Sequence, residues 1–62
     1  MKFWEAIECL EEGKKIKRKH IEDEYFYLDE YNIIRDNLHQ MYGHHRFLSS
    51  FYFDENIEWE VI

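Results

Sequence analysis

The sequence predicts an α+β fold, in which an N-terminal amphipathic helix packs on a small antiparallel sheet of about four strands. Two observations support this fold class. The opening residues place apolar side chains at the spacing of one helix face, and the closing residues alternate apolar and acidic side chains as a half-buried strand does. The 62 residues suffice for one small domain, 1–62, and a chain of this length buries only about 60% of the surface that its unfolded form exposes.

The N-terminal helix is the first element that the pattern predicts. Phe3, Ile7 and Leu10 follow the i, i+4, i+7 spacing of one helix face, while acidic residues occupy the other side. Gly13 favours a left-handed backbone at the end of a helix, and the two lysines that follow suit the negative end of the helix dipole. The helix is therefore expected to end at Gly13.

After the helix the pattern changes to that of strands. Ile16 stands between lysines, which is typical of an edge strand because lysine discourages further pairing. Residues 25–28 have strand propensity, residues 29–32 have turn chemistry, and residues 33–34 begin a return strand. The combination predicts a β-hairpin.

The second half of the chain is less regular. Residues 36–46 show neither periodicity and predict an irregular connection or a short turn, with Gly43 as a break in the pattern. Residues 48–56 fit a strand and a helical turn equally. A last strand is predicted from alternation that begins at Ile57. The expected core consists of Phe3, Ile7, Leu10, Ile16, Ile57, Trp59 and Val61.

Composition restricts the partners of the protein. Acidic side chains outnumber basic ones by 14 to 8, and the formal net charge is −6. This charge disfavours duplex nucleic acid, whose binding draws on neutralisation of phosphates by cations. Five tyrosines, five phenylalanines and two tryptophans supply more apolar surface than a small core hides, and aromatic residues are enriched at interfaces. The composition predicts a homo-oligomer, either a dimer or a tetramer.

The location of the protein is predicted from its apolar runs and its cysteine. The longest apolar run, residues 25–28, is far shorter than the ~20 residues of a transmembrane helix. Glu5 and Glu8 interrupt the apolar segment that a signal peptide needs. The single Cys9 fits a reducing compartment. We therefore expect no membrane partner and a cytoplasmic location.

The residue types that carry catalysis or bind metals lack an informative arrangement. His39, His44 and His45 do not have the spacing of a recognised zinc site, and Cys9 is expected to be a small, half-buried helix residue. Two glycines do not make a phosphate-binding loop. The sequence predicts a protein that is not an enzyme, with no catalytic residue, no metal site and no cofactor.

Positive charge is concentrated in one short segment. Five of the eight cationic side chains stand in a run of six residues directly after the predicted helix. Two interpretations remain open. The cations either cap the helix and protect a sheet edge, or they bind an anion, with Arg18 as a planar fork and Lys17 and Lys19 as point charges. In the second case Trp4 or Trp59 is available to stack on a base.

The opening also carries a family resemblance. It reproduces an aromatic-x-x-Ala-aliphatic-x-x-Leu-x-x-Gly-Lys-Lys-aliphatic-x-Arg pattern with Phe3, Ala6, Ile7, Leu10, Gly13, Lys14, Lys15, Ile16 and Arg18. This pattern resembles the second Thoeris anti-defence family of small phage and prophage proteins. Glu58 and Trp59 match in kind the acidic-Trp pair near the end of that family. The family usually has a tryptophan where this chain has Ile21.

The resemblance implies a function. Members of the family look like oligomeric sponges that bind a cyclic ADP-ribose type immune signal and withhold it from its effector without degrading it. It implies a location in the host bacterial cytoplasm, and a small cyclic nucleotide as the partner. The ligand-binding residues would be Arg18, Lys17, Lys19, Phe3, Trp4 and Trp59.

An alternative function follows from the acidic surface. The carboxylates would engage a basic groove on a bacterial immune nuclease or effector and imitate nucleic acid. Charge reversal of Arg18 and Lys19 would then spare activity, whereas neutralising Asp54, Glu55 and Glu58 would abolish it. A scaffold module without a ligand, a third interpretation, predicts that neither set of changes matters.

Overall fold

The computed structural model describes residues 1–51 and 56–62. The elements are helix α1 (Phe3–Glu11), strands β1 (Ile16–Arg18), β2 (Phe26–Leu28), β3 (Ile34–Asp36) and β4 (Met41–Tyr42), helix α2 (His44–Phe51) and strand β5 (Trp59–Val61). The strands form one sheet in the order β4-β3-β2-β1-β5, and every pair is antiparallel. The predicted α+β class is confirmed, with one strand more than expected.

Helix α1 forms and ends as the sequence predicts. The backbone N–H of Lys2 donates to the Glu5 carboxylate at 3.0 Å, which satisfies a donor at the start of the helix. Gly13 has a φ of +91°, and its N–H donates to the carbonyl of Leu10 at 3.0 Å. The left-handed glycine closes the helix and turns the chain toward the sheet.

Strand β1 is an inner strand, so the prediction of an edge strand is wrong. It pairs with β2 on one side and with β5 on the other, where Arg18 lies opposite Trp59. The pairing with β5 joins the two ends of the chain. The lysines around Ile16 suggested an edge strand, but a pattern of neighbouring residues carries no information about a partner strand that is distant in the sequence.

The predicted hairpin is confirmed, with strands β2 and β3 and a turn that begins at Asp29. One carboxylate oxygen of Asp29 accepts the backbone N–H groups of Tyr31 and Ile33 at 2.8 and 2.9 Å. Asn32 takes a φ of +64°, a left-handed conformation that asparagine tolerates better than most residues. The aspartate and the asparagine together explain why these residues turn.

The prediction of an irregular connection or a short turn over residues 36–46 is confirmed for the turn at residues 37–38 and wrong for the rest, because β4 and the start of α2 lie there. Residues 48–51 are helical, whereas residues 52–55, which include Asp54 and Glu55, lie outside the described part of the chain. Neither helix of residues 1–51 and 56–62 has the length and apolar character needed to cross a membrane.

Both helices pack on one face of the sheet and enclose an aromatic core. The buried apolar residues are Phe3, Ala6, Leu10, Ile16, Phe26, Ile34, Phe47 and Trp59. Four of the seven predicted core residues are in this set, and Ile7 and Ile57 pack against it half-buried. The prediction was wrong for Val61, which is 37% exposed because it ends the edge strand β5.

The opposite face of the sheet carries the other side chains of each strand, as period-2 alternation requires. We call it the outer face; it is formed by Lys17, Tyr27, Arg35, Met41 and Glu60, together with Lys15 and Tyr25 just before β1 and β2. No described helix covers it.

Candidate functional site

The structure places the predicted cations Lys17 and Arg18 on opposite faces of the sheet. Lys17 lies opposite Glu60 on the outer face, and Arg18 lies opposite Trp59 on the face that the helices cover. Alternation along β1 alone dictates this separation. The two residues therefore cannot form one cluster around a small ligand.

Arg18 is engaged within the protein. Its Nε donates to one carboxylate oxygen of Glu24 at 2.7 Å, and its Nη2 donates to the other oxygen. The guanidinium carbon lies 5.0 Å from the centre of the Phe51 ring, within the range of a cation–π contact. Both charged side chains are half-buried, so a phosphate would have to displace Glu24.

Phe3 and Trp59, the predicted aromatic site residues, belong to the core. Their ring centres are 5.5 Å apart, and both rings also contact Phe51. Trp59 is 1% exposed, and its buried indole N–H has no hydrogen-bond partner in the described structure. The structure thus gathers Arg18, Phe3 and Trp59 around Phe51, on the face of the sheet that the helices cover.

The two remaining predicted residues are on the surface. Trp4 is 62% exposed on α1. Lys19 is exposed just after β1, and its backbone N–H donates to the carbonyl of Glu58 at 2.8 Å. The six predicted residues are therefore divided among the core, the outer face and the exposed surface.

The outer face instead presents a group that the sequence analysis did not assign to a site. The Lys15 ammonium lies 5.0 Å from the centre of the Tyr25 ring, and the rings of Tyr25 and Tyr27 are 6.1 Å apart with 39° between their planes. Both tyrosines are half-buried. A sequence signal for this shared face does exist, because residues two positions apart in a strand lie on the same face of the sheet. Lys15 and Lys17 have this spacing, and so do Tyr25 and Tyr27.

Arg35 and Lys17 stand on either side of these tyrosines, and both are held by carboxylates. The Lys17 ammonium lies 3.1 Å from Glu60, and Arg35 Nε donates to Asp29 at 2.6 Å. The hydrogen bond from Arg35, with those from the backbone of Ile33 and Tyr31, outweighs the opposing effect of burial and holds the pKa of Asp29 below its ordinary value.

The outer face has the chemistry of a surface for a small anionic aromatic ligand. Aromatic side chains supply rings on which a base stacks, and ammonium groups attract phosphate. The Lys17 side chain is 13% exposed and pairs with the more exposed Glu60, so a phosphate at Lys17 would compete with that carboxylate. Lys15 forms no ion pair within residues 1–51 and 56–62.

Metal chemistry has no visible basis in the described part of the chain. No group of three or more histidine, cysteine, aspartate or glutamate side chains within residues 1–51 and 56–62 is placed to hold a metal ion. The absence of a cofactor and of catalytic residues stays a prediction.

Comparisons with protein-family models, with curated proteins and with solved structures find no match to this chain. The resemblance to the anti-defence family stays a prediction, and the geometry of the outer face carries the functional argument.

Proposed function

We propose that the protein is a phage or prophage anti-defence protein, which binds a cyclic nucleotide immune signal of the cyclic ADP-ribose type and sequesters it without degrading it. The observation that carries the proposal is the placement of Lys15 over Tyr25, beside Tyr27, on the outer face. The family resemblance supplies the class of ligand.

The tyrosines would hold the base and the lysines the phosphates. Stacking of one base on an aromatic side chain is worth about 1–3 kcal/mol where it has been measured by truncation. Electrostatic interactions are screened over about 8 Å at physiological salt. A compact ligand beside Lys15 and Lys17 is therefore attracted locally, whereas a long polyanion would also meet the acidic remainder of the molecule.

The residues around Phe51 have a supporting role in this proposal. Arg18 and Trp59 lie opposite each other on β1 and β5, behind the outer face, and Phe3 packs on Trp59. These contacts would support the strand that carries Lys17. Lys19, at the exposed end of β1, adds to the positive potential on the side from which the ligand approaches.

Isothermal titration of the purified protein with cyclic ADP-ribose isomers and with cyclic di- and trinucleotides tests the proposal. Saturable binding of one compound is expected, and heat denaturation of the complex should release that compound chemically unchanged. Absence of binding by every compound, with a protein that unfolds cooperatively, would refute the proposal, and recovery of a cleaved product would refute sequestration.

Matched variants test the assignment of the site. Lys15→Ala and Tyr25→Ala should each weaken binding about tenfold or more, because each removes a ligand contact. Lys14→Ala and Tyr31→Ala are the controls: Lys14 pairs with Glu12 at 3.3 Å and Tyr31 is exposed at the β2–β3 turn. Equal losses in the test and control variants would contradict a site on the outer face.

A further inference from the structure

The described residues form a groove between the two helices, on the side of the sheet remote from the outer face. It has a volume of about 80 Å³, with Leu28 and Ile34 of the sheet at its floor and Ile7 and Leu48 on its walls. Pockets for small molecules usually measure about 300–1,000 Å³. The interhelical groove is therefore too small for a nucleotide and suits a single aliphatic side chain.

Exposed apolar side chains extend the interhelical groove along α1 and α2. Leu48 is 41% exposed and Trp4 is 62% exposed. Trp4 and Ile7 are separated by three residues, so they lie on the same side of α1. This strip of Trp4, Ile7 and Leu48 offers a partner more contact area than the groove alone, and exposed tryptophan is typical of residues that dominate interfaces.

The rim of the interhelical groove is acidic on the side formed by α1, and His44 lines the side formed by α2. Glu11 lines the groove, and Glu8 lies one turn away on the exposed side of α1. Neither carboxylate has an ion-pair partner within the described residues, whereas Glu12 pairs with Lys14 and Glu58 with the amino group of Met1. With a net charge of −6, this rim would attract a cationic partner and repel anionic lipid.

We propose that the interhelical groove binds a basic amphipathic helix of a partner protein. One aliphatic side chain of that helix enters the groove, its neighbours pack on Trp4 and Leu48, and lysine or arginine residues one turn apart pair with Glu8 and Glu11. This is the helix-in-groove mode of recognition, in which anchors recur every three or four residues.

A second copy of this chain fits the interhelical groove poorly. Its basic segment is built into the sheet, where Lys17 and Arg18 are paired with Glu60 and Glu24. Helix α1 carries the acidic residues, and α2 has a single arginine, Arg46. Helix α2 has no acidic residue, but its Phe47 is fully buried in the core of its own copy. Its His44, Phe47 and Leu48 already line the groove of that copy, so α2 is not available to enter the groove of another.

A synthetic peptide tests the proposal directly. The probe is a capped helical peptide of about 14 residues, made of alanine with leucine and lysine at every third or fourth position. Saturable one-to-one binding by calorimetry and a blue shift of tryptophan emission are expected. Trp4 would cause the shift because Trp59 is already buried, so Trp4→Phe should remove the shift and retain most of the binding.

Matched variants separate the groove from general charge attraction. Glu11→Lys and Leu48→Gln should each weaken peptide binding about tenfold, and circular dichroism should show that both variants keep the fold. Glu22→Lys is the control, because it makes the same charge change at an exposed position in the β1–β2 loop. An equal loss with Glu22→Lys, or unchanged binding with both groove variants, would overturn the proposal.

Three further outcomes would also overturn it. In the first, a peptide with its leucines replaced by glutamine binds equally well, so that charge alone explains binding. In the second, Trp4 becomes buried when the protein alone is concentrated, so that a second copy occupies the groove. In the third, the protein attaches to phosphatidylglycerol vesicles through Trp4, so that the strip binds lipid. The inference does not depend on the proposed function, because the groove and the outer face lie on opposite sides of the sheet. Lys15→Ala, which changes the outer face, should therefore leave peptide binding intact.

Discussion

At the scale of single residues, Asp36 organises the turn between β3 and β4. Its buried carboxylate accepts the backbone N–H groups of Leu38 and Gln40 on one oxygen, at 2.9 and 3.0 Å, and the Tyr42 hydroxyl on the other, at 2.8 Å. These bonds allow His39 to take a φ of +65°. One aspartate thus fixes the position of a turn that the sequence indicated only as an irregular connection or a short turn somewhere in residues 36–46.

Removal of this carboxylate should destabilise the fold. Asp36→Ala removes three partly buried hydrogen bonds to a carboxylate, and a hydrogen bond to a charged group is worth about 1.5–3 kcal/mol. Tyr42→Phe is the milder comparison: it removes one hydrogen bond, worth about 1 kcal/mol, and keeps the ring that packs edge-on against Phe26. Urea denaturation measures both, and an Asp36→Ala midpoint equal to that of the parent would contradict this role.

The same carboxylate makes stability depend on pH. Burial raises the pKa of Asp36, but the hydrogen bonds from Tyr42, Gln40 and Leu38 outweigh burial and hold the pKa below its ordinary value. A group with a lowered pKa in the folded state stabilises the fold above its unfolded pKa of about 3.9. That contribution is lost as the pH falls through the folded pKa.

Acid unfolding is therefore expected to steepen below about pH 4, and Asp36→Asn should make the dependence shallower. Glu22→Gln is the control because Glu22 is exposed in the β1–β2 loop. Thermal unfolding from pH 2 to pH 7 checks the prediction, which an unchanged acid dependence in Asp36→Asn would contradict.

At the scale of elements, α1 was predictable and α2 was not. Helix α1 combines an apolar stripe, an early acid and a terminal glycine, all of which are local signals. Helix α2 has only Phe47 and Phe51 as apolar residues one turn apart among histidines and serines, with Leu48 beside them. Its stability comes from packing of Phe47 against Phe26, at 5.0 Å between ring centres, and tertiary contacts of that kind are invisible in the sequence.

The end of α1 gives a matched test of a local signal. Gly13→Ala should destabilise the protein by about 1–2 kcal/mol, because a left-handed backbone is unfavourable for alanine. Apart from the chain neighbours of each glycine, no atom of the described residues lies within 4 Å of a methyl group added at Gly13 or Gly43, and of these two glycines only Gly13 has a positive φ. Gly43→Ala should therefore be neutral or slightly stabilising. Equal denaturation midpoints for the two variants would show that the φ of Gly13 does not limit stability.

The candidate site was predictable only in part, for a reason that lies in strand geometry. The sequence indicated the basic segment and its strand. It did not show that neighbouring cations such as Lys17 and Arg18 lie on opposite faces of the sheet, because that separation follows from the alternation of side chains along β1. The contact between Lys15 and Tyr25 depends on how β1 and β2 are paired. Ile16 lies opposite Phe26 in that pairing, a register that composition and periodicity do not give.

At the scale of the whole molecule, the sheet separates two surfaces of different chemistry. The outer face carries lysines, an arginine and tyrosines beside Glu60, whereas the helices on the other side present the acids of α1 and the histidines and apolar residues of α2. The predicted dimer or tetramer would cover part of one surface. Light scattering after gel filtration measures its size, and a monomer at all accessible concentrations would contradict that prediction.

The aromatic core should decide whether the whole chain folds. Phe47 is fully buried, and its ring centre lies within 6.5 Å of those of Phe3, Phe26, Phe51 and Trp59. Truncation of a buried phenylalanine to alanine costs about 3–5 kcal/mol. A domain of this length has a free energy of unfolding of only about 3–9 kcal/mol, so Phe47→Ala is expected to leave little or no folded protein.

Leu48→Ala is the control on the same helix, because a change at an exposed residue usually alters stability by about 0.5 kcal/mol or less. Near-ultraviolet circular dichroism and thermal unfolding should show loss of the aromatic signal and of the cooperative transition in Phe47→Ala, with both kept in Leu48→Ala. If Phe47→Ala lost only α2 while α1 and the sheet still unfolded cooperatively, the rest of the fold would not require α2, and the prediction would be contradicted. Retention of peptide binding by that variant would in turn show that α2 forms no wall of the interhelical groove.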